Sequence, residues 1–224
     1  MPLFEKDPII CLVTDRKRLR PHARLEAQLE AVVAQAGEAA GAGVTLVQIR
    51  ERDLNARALA DLCAGVVSAT RGTPVRIVVN DRVDVALSAG ADGVHLRSDS
   101  FEAARVRALM PPPWVVGRSI HDVAEAERLG RDVDYAIFGT VFPSASKAGA
   151  APAGLAALRS AAAASRCPVL AIGGVSTDNI RDIAKTGAAG VAAIELFLPQ
   201  TGAEPGRCGI AQAVRAIRSA FGAV

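Results

Sequence analysis

The chain has 224 residues, half of them hydrophobic and 22% charged, so it can bury one large core and is too apolar for a disordered protein. Its 26 basic and 23 acidic residues give a net charge of +3, and only 4% of the residues are aromatic. Because the basic residues form no stripe and aromatic stacking platforms are scarce, the composition argues against a nucleic-acid-binding protein.

Short apolar runs alternate with segments of helical spacing along the chain. The first run, 9–13, is continuous, which is typical of a strand buried on both faces. The predicted strands are 9–13, 45–50, 75–79, 93–96, 114–117, 135–138, 168–172 and 190–197. The predicted helices are 22–40, 55–69, a short one ending at 89, 101–109, 123–129, 154–165, 177–187 and 209–221. Eight strand–helix units in this length favour a closed (β/α)8 TIM barrel, with 1–224 as a single domain, over an open doubly wound sheet.

The cysteines and the N-terminus predict the compartment. Cys11, Cys63, Cys167 and Cys208 are far apart and have no CxxC spacing, so neither a zinc site nor a disulfide framework is expected. Residues 1–10 carry acids and a proline where a signal peptide would be apolar, and no apolar stretch is long enough to span a bilayer. We therefore expect a cytoplasmic protein in a reducing compartment, without a membrane partner.

Polar residues cluster at the ends of the predicted strands. In a barrel of this kind the active site lies at the C-terminal ends of the strands, so we expect these side chains to meet at one rim. In strand order they are Thr14 and Asp15; Gln48, Arg50 and Arg52; Asn80 and Asp81; His95, Arg97, Ser98 and Asp99; Ser119 and His121; Thr140; Gly173 and Gly174; and Glu195.

The stretch 135–147, YAIFGTVFPSASK, is the most informative of these segments. A buried strand leads into a loop whose Ser144, Ser146 and Lys147 supply hydroxyl donors and a cation, a composition suited to a phosphate. The alternative is a polar surface loop. Gly173 and Gly174 would let backbone N–H groups approach a second phosphate, or they form a tight turn only.

The charged residues at the predicted rim allow two interpretations each. Arg50, Arg52 and Lys147 are cations for an anionic substrate, and Asp81 is a candidate ligand for Mg²⁺ that accompanies substrate phosphates. Alternatively, Arg50 and Asp81 form a structural ion pair, and His95 is a core histidine with its hydrogen bonds satisfied. Taken together, the set favours a phosphate-ester site.

Seven motifs in this order carry a family resemblance: QIRER, NDRVDVA, GVHL, GRSIH, FGTVFPSASK, AIGGV and GAAGVAA. The chain resembles the thiamin phosphate synthase family, which also contains a thiazole tautomerase branch. The resemblance implies a barrel and a Mg²⁺-dependent transferase that joins hydroxymethylpyrimidine diphosphate to a thiazole phosphate and releases pyrophosphate.

The resemblance also implies roles for single residues. Positions that match the pyrimidine diphosphate and metal sites are Arg50, Asn80, Asp81, Ser144, Ser146 and Lys147, and Gly173 and Gly174 match the thiazole phosphate site. Gln48 and Arg52 belong to the same substrate-binding set. Arg50, Lys147 and His121 are the candidate catalytic residues, and Asp81 and Asp99 are the candidate Mg²⁺ ligands.

The chain departs from the synthase pattern in four places. Arg52 stands where lysine is usual, and Glu195 stands where serine is usual. Arg97 and Ser98 replace a Gly-Gln pair, and Ser100 replaces the second metal-binding aspartate, with Asp99 one place early. The metal site is therefore the part of the pattern that the sequence leaves least defined.

Three functions follow from this partial match. The first is the synthase. The second is a metal-independent thiazole tautomerase, an isomerase that would use His121, the histidine of the GRSIH motif, for proton transfer. The third is a non-catalytic barrel that binds phosphate ligands. Small phosphate and diphosphate molecules are the expected partners in each case, and a homo-oligomer is one alternative for the assembly.

Overall fold

The computed structural model describes residues 8–144, 151–199 and 209–222. Its eight described strands form a closed barrel in the order β1 to β8. They are β1 (Ile9–Val13), β2 (Leu46–Ile49), β3 (Arg76–Asn80), β4 (Gly93–Leu96), β5 (Val115–Ile120), β6 (Tyr135–Gly139), β7 (Val169–Ile172) and β8 (Gly190–Ala193). All neighbours are parallel, and the pair Leu12 and Ala193 closes β1 against β8. The predicted (β/α)8 TIM barrel is confirmed.

Helices follow the strands and pack around the barrel. In the described ranges they are α1 (Arg16–Leu19), α2 (Leu25–Ala42), α3 (Ala56–Ala69), α4 (Val83–Ser88), α5 (Ala103–Leu109), α6 (Val123–Glu127), α7 (Gly154–Ala164), α8 (Ile180–Ala184) and α9 (Ile210–Phe221). Asn55 caps α3 by accepting a hydrogen bond from the N–H of Ala58, as its side chain predicts. Within the described segments, no helix combines the length and apolar character needed to cross a membrane.

Two apolar layers hold the barrel together. Alternate residues of β1 point in opposite directions: Ile9, Cys11 and Val13 lie in a cluster inside the barrel, whereas Ile10 and Leu12 pack outward beneath the helices. Since strands covered on both faces cannot tolerate polar side chains without partners, this explains why the strand segments are nearly continuous apolar runs.

Two predicted elements differ from the structure. The predicted strand 190–197 ends at Ala193, because pairing with β1 stops at Leu12, and the chain then turns into a short 3-10 helix, Glu195–Phe197. The predicted helix 22–40 is preceded by α1, which the sequence prediction missed. Asp15 caps α1 by accepting a hydrogen bond from the N–H of Arg18.

A buried ion cluster joins the loops after β1 and β2. Arg16 donates to the Glu51 carboxylate at 2.9 Å and to both oxygens of Asp53 at 2.6 and 2.7 Å. Burial raises the pKa of Glu51, and the bonds to Arg16 and Lys17 hold the pKa of Asp53 well below its ordinary value. Because Glu51 adjoins Arg50 in sequence, this cluster fixes the loop that presents Arg50 to the barrel mouth.

Candidate active site

A cavity of about 460 Å³ opens at the C-terminal ends of the strands. Its volume falls in the usual range for small-molecule sites. Its wall includes residues from all eight strand ends, among them the predicted site residues Gln48, Arg50, Arg52, Asn80, Asp99, His121, Ser144, Gly173 and Gly174. Ser146 and Lys147 lie outside the described residues, so their predicted roles stay predictions.

The β2–β3 side of the cavity presents an amide pair and a guanidinium. The Gln48 amide donates to the Asn80 amide oxygen at 2.9 Å, which orders both side chains at the wall. Arg50 is held by its backbone N–H, which donates to the Thr14 hydroxyl at 3.0 Å. Its partly buried guanidinium has no hydrogen-bond or ion-pair partner among the described residues, so the predicted alternative of an Arg50–Asp81 ion pair is wrong.

Burial and the neighbouring Arg52 lower the pKa of Arg50. A guanidinium still stays protonated at any physiological pH. Removing a charge from water without supplying a counter-ion is unfavourable, so an anionic ligand at this position would recover that cost. Arg50 is therefore preorganised for a phosphate group.

Asp81 and Asp99 are brought together, and Arg97 lies between them. The Arg97 Nε is 3.1 Å from an oxygen of each carboxylate, and the Arg97 backbone N–H points to the other oxygen of Asp81 at 3.4 Å. Asp81 also adopts a left-handed backbone conformation, φ +60°, which is uncommon outside glycine and clusters at functional sites.

This arrangement does not fit a resident Mg²⁺. The ion prefers six oxygen ligands at close to 2.1 Å, and here the two candidate carboxylates already share a guanidinium. No group of three or more His, Cys, Asp or Glu side chains suited to a metal is found in the ranges 8–144, 151–199 and 209–222. The sequence identified the two carboxylates but not the cation between them.

The β7 side of the cavity is a glycine turn. Gly173 and Gly174 have φ values of +98° and +61°, and a Cβ on Gly174 would come within 2.7 Å of the Phe142 Cβ. Glycine is therefore required by both backbone conformation and space. No described acceptor receives a hydrogen bond from either N–H group, although both carbonyl groups accept bonds. Consecutive unbonded N–H groups in such a turn form an anion-binding concavity.

The barrel places these two anion-binding groups on opposite sides of the mouth. In a closed order of eight strands, β3 and β7 are four strands apart in either direction. Arg50, Asp81 and Arg97 follow β2, β3 and β4, whereas Gly173 and Gly174 follow β7. The site is therefore suited to two separate anionic groups held across one cavity.

His95 lies at the bottom of the cavity with both ring nitrogens bonded. Nδ1 is 3.0 Å from the Tyr135 hydroxyl and Nε2 is 2.9 Å from the Ser119 hydroxyl. Burial lowers the pKa of His95 to about 3, so the ring is neutral near pH 7. The prediction of a satisfied core histidine is confirmed, with Ser119 as its link to the cavity wall.

This pKa makes stability depend on acid. An unfolded histidine has a pKa of about 6.5, so between about pH 6.5 and 3 the unfolded chain binds a proton that the folded chain does not. The free energy of unfolding should therefore fall with pH in this window, by up to about 1.4 kcal/mol per pH unit. Urea titrations of wild type and His95→Gln between pH 4 and 6 measure this. The variant should show a shallower slope, whereas equal slopes would contradict the assignment.

His121 lies at the cavity wall after β5. Its Nδ1 is 2.6 Å from the Gly139 carbonyl oxygen, and its backbone N–H donates to Glu125 at 2.6 Å. Because a carbonyl oxygen only accepts, Nδ1 carries the proton in the neutral ring and Nε2 keeps its lone pair. The side chain is thus held in the tautomer that a base needs.

Two arginines of the site were missed as functional residues. Arg97 was noticed only as a departure from the family pattern, and Arg18 was not singled out at all. Arg18 lines the cavity and forms an ion pair with Glu195 at 2.8 Å, which gives the unusual Glu195 a partner across the closure of the barrel. The basic pair in Arg16-Lys17-Arg18 after β1 was the only sequence signal.

Comparison with known proteins agrees with this geometry. The family model described as thiamine monophosphate synthase matches residues 10–197. The thiamine-phosphate synthase of Anaeromyxobacter dehalogenans is 39% identical over 193 residues, covering 85% of this chain and 86% of the relative. That of Chlorobium luteolum is 36% identical over 189 residues, covering 84% of each.

The solved structures point the same way. The thiamine phosphate pyrophosphorylase from Pyrococcus furiosus aligns with a TM-score of 0.77 and 30% identity, covering 97% of this chain and 98% of that one. A 3-hexulose-6-phosphate synthase aligns at 0.66 with 19% identity and shares the fold alone. With a family match over most of its length and relatives at this level of identity, the chain belongs to the thiamine monophosphate synthase family.

Proposed function

We propose that the chain is a transferase that makes thiamin phosphate from hydroxymethylpyrimidine diphosphate and a thiazole phosphate. In this reaction the bond between the benzylic carbon and the diphosphate oxygen breaks, and the electron pair leaves with pyrophosphate. The thiazole nitrogen forms a bond to the same carbon and becomes the cationic thiazolium nitrogen. The balance needs no oxidant and no added proton.

One observation carries the proposal: two groups of anion-binding residues face each other across the cavity. A condensation of two phosphorylated molecules needs both, whereas an isomerase acting on a single phosphate ester needs one. The relatives at 36–39% identity are also named as synthases.

The residues of the chain have separate tasks in this proposal. Arg50 stabilises the charge that develops on the departing pyrophosphate, which is the main requirement of the step. The N–H groups of Gly173 and Gly174 hold the thiazole phosphate on the opposite side and so orient the attacking nitrogen. Ser144, Ser146, Lys147, Arg52, Gln48 and Asn80 complete the substrate-binding set. Mg²⁺ dependence follows from the resemblance, and the proposal takes no step through the ion.

Initial-rate measurements of pyrophosphate release test the proposal. Release should require both substrates, and omission of the thiazole phosphate should reduce it to background. Release without the thiazole phosphate would indicate a hydrolase. Isomerisation of a thiazole carboxylate phosphate without any pyrophosphate release would support the tautomerase.

His121 supports the tautomerase as a second candidate, because its Nε2 is free to act as a base at the cavity wall. A general base contributes about 10²–10⁴-fold to a rate. We expect His121→Ala to leave substantial synthase activity, since the condensation needs no proton transfer. His22→Asn is a matched control, because His22 is exposed and its φ of +67° is one that asparagine tolerates. Loss of all turnover in His121→Ala alone would favour the tautomerase.

A further inference from the structure

We propose that the Arg97 guanidinium, held between the carboxylates of Asp81 and Asp99, takes the place of a resident Mg²⁺ and binds the diphosphate group directly. This inference rests on the proposed function for the identity of the diphosphate. It starts from a disagreement between the metal pattern implied by the resemblance and the side chains that occupy the site.

The position of Arg97 is the first observation. Its Nε lies 3.1 Å from Asp81 and 3.1 Å from Asp99, at the point where a cation shared by the two carboxylates would lie. Both oxygens of Asp81 face N–H groups of Arg97, one from the side chain and one from the backbone. A divalent ion at Asp81 would have to displace this guanidinium and then remain beside it.

The remaining donors of Arg97 are the second observation. No hydrogen bond joins either Nη group to any residue in the described part of the chain, and Arg97 lines the cavity. The two Nη groups form a planar fork whose spacing matches two oxygens of one phosphate. With its Nε held by two carboxylates, the fork is oriented before the ligand arrives, which lowers the entropy lost on binding.

The loop that carries Asp99 is the third observation. Arg118 on β5 donates to the carbonyl oxygens of Ser98, Ser100 and Phe101 at 2.8 to 3.3 Å. These three bonds fix the β4–α5 loop against the neighbouring strand. The Asp99 side chain is 73% exposed, so its pairing with Arg97 contributes little to stability, and its role is to position the guanidinium.

The arrangement predicts which ions the free protein binds. Inorganic pyrophosphate should bind in the presence of EDTA, and the dissociation constant should change little when Mg²⁺ is added. Arg97→Gln should raise that constant by about 10- to 100-fold in EDTA, the scale of a charge-assisted hydrogen bond. Arg97→Lys keeps the charge and loses the fork, so its constant should lie between the two.

Isothermal titration calorimetry with pyrophosphate measures these constants, and Arg76→Gln is the matched control. Arg76 is 41% exposed against 43% for Arg97 and pairs with Asp92 at 3.0 Å, but it starts β3 at the opposite end of the barrel. Its variant should bind pyrophosphate as wild type does. Melting curves of each variant show that the barrel is folded.

Titration with Mn²⁺, followed by electron paramagnetic resonance without any substrate, completes the test. A single Mn²⁺ site in wild type that Asp81→Asn removes would overturn the inference. Pyrophosphate binding that requires Mg²⁺, or that survives Arg97→Gln unchanged, would do the same. Because neither titration involves the thiazole substrate, both hold whether or not turnover is found. A failure of the condensation assay therefore counts only against the proposed function.

Discussion

Arg50→Gln should lower kcat/KM for the pyrimidine diphosphate by about 10²–10³-fold, the usual cost of removing one preorganised donor from a developing anion. Arg50 is partly buried at the cavity wall and has no anionic partner within the described residues, so its charge is available to the substrate alone. The loss should fall mainly on kcat, because the charge on the leaving group is largest as the bond breaks. Pyrophosphate release at several concentrations of each substrate measures it.

Two further variants show whether the effect comes from the fork or from the charge. Arg50→Lys keeps a cation but cannot bind two oxygens at once, so it should recover only part of the loss. Arg57→Gln, an exposed arginine on α3, should behave as wild type. An Arg50→Gln variant with wild-type kcat/KM would remove Arg50 from the site.

Arg16→Met should destabilise the protein by about 3–5 kcal/mol, because it leaves the buried Glu51 carboxylate without its counter-ion. Arg16 and Glu51 are each 5% exposed, and the Glu51 carboxylate receives two bonds from Arg16, at 2.9 and 3.0 Å. Their loss removes the partner and keeps the cost of burial. Urea unfolding followed by circular dichroism measures the change.

Lys17→Met is the matched control for this variant. Lys17 also pairs with Asp53, at 2.7 Å, but both side chains are about half exposed or more, so the loss should stay below about 1 kcal/mol. The double variant Arg16→Met/Glu51→Leu removes both buried charges and should recover much of the lost stability. Equal effects of Arg16→Met and Lys17→Met would contradict the buried-pair assignment.

The barrel could be predicted from the sequence because each strand is a short apolar run bounded by helical segments. The same logic located the rim, since residues such as Gln48, Asn80 and Gly173 directly follow those runs. In a parallel barrel the residue after a strand faces the same rim whatever the details of packing. The position of the site is therefore a consequence of chain order.

The pairing of charges could not be predicted in this way. Arg97 and Asp81 come from different strands, and Arg16 meets Glu51 across 35 residues, so no local pattern identifies either pair. The end of β8 at Ala193 depends on where its partner β1 stops, which is again a tertiary feature. The sequence predicted which residues reach the rim, and only the fold decides which charges neutralise each other there.

A crystal structure with pyrophosphate and the thiazole phosphate bound together tests the central claim most directly. We expect the pyrophosphate against Arg50, on the β2–β4 side of the mouth. The thiazole phosphate should accept hydrogen bonds from the N–H groups of Gly173 and Gly174 on the β7 side. Both anions on one side of the mouth, or either of them at the opposite end of the barrel near Arg76, would contradict a site built for two facing phosphorylated substrates.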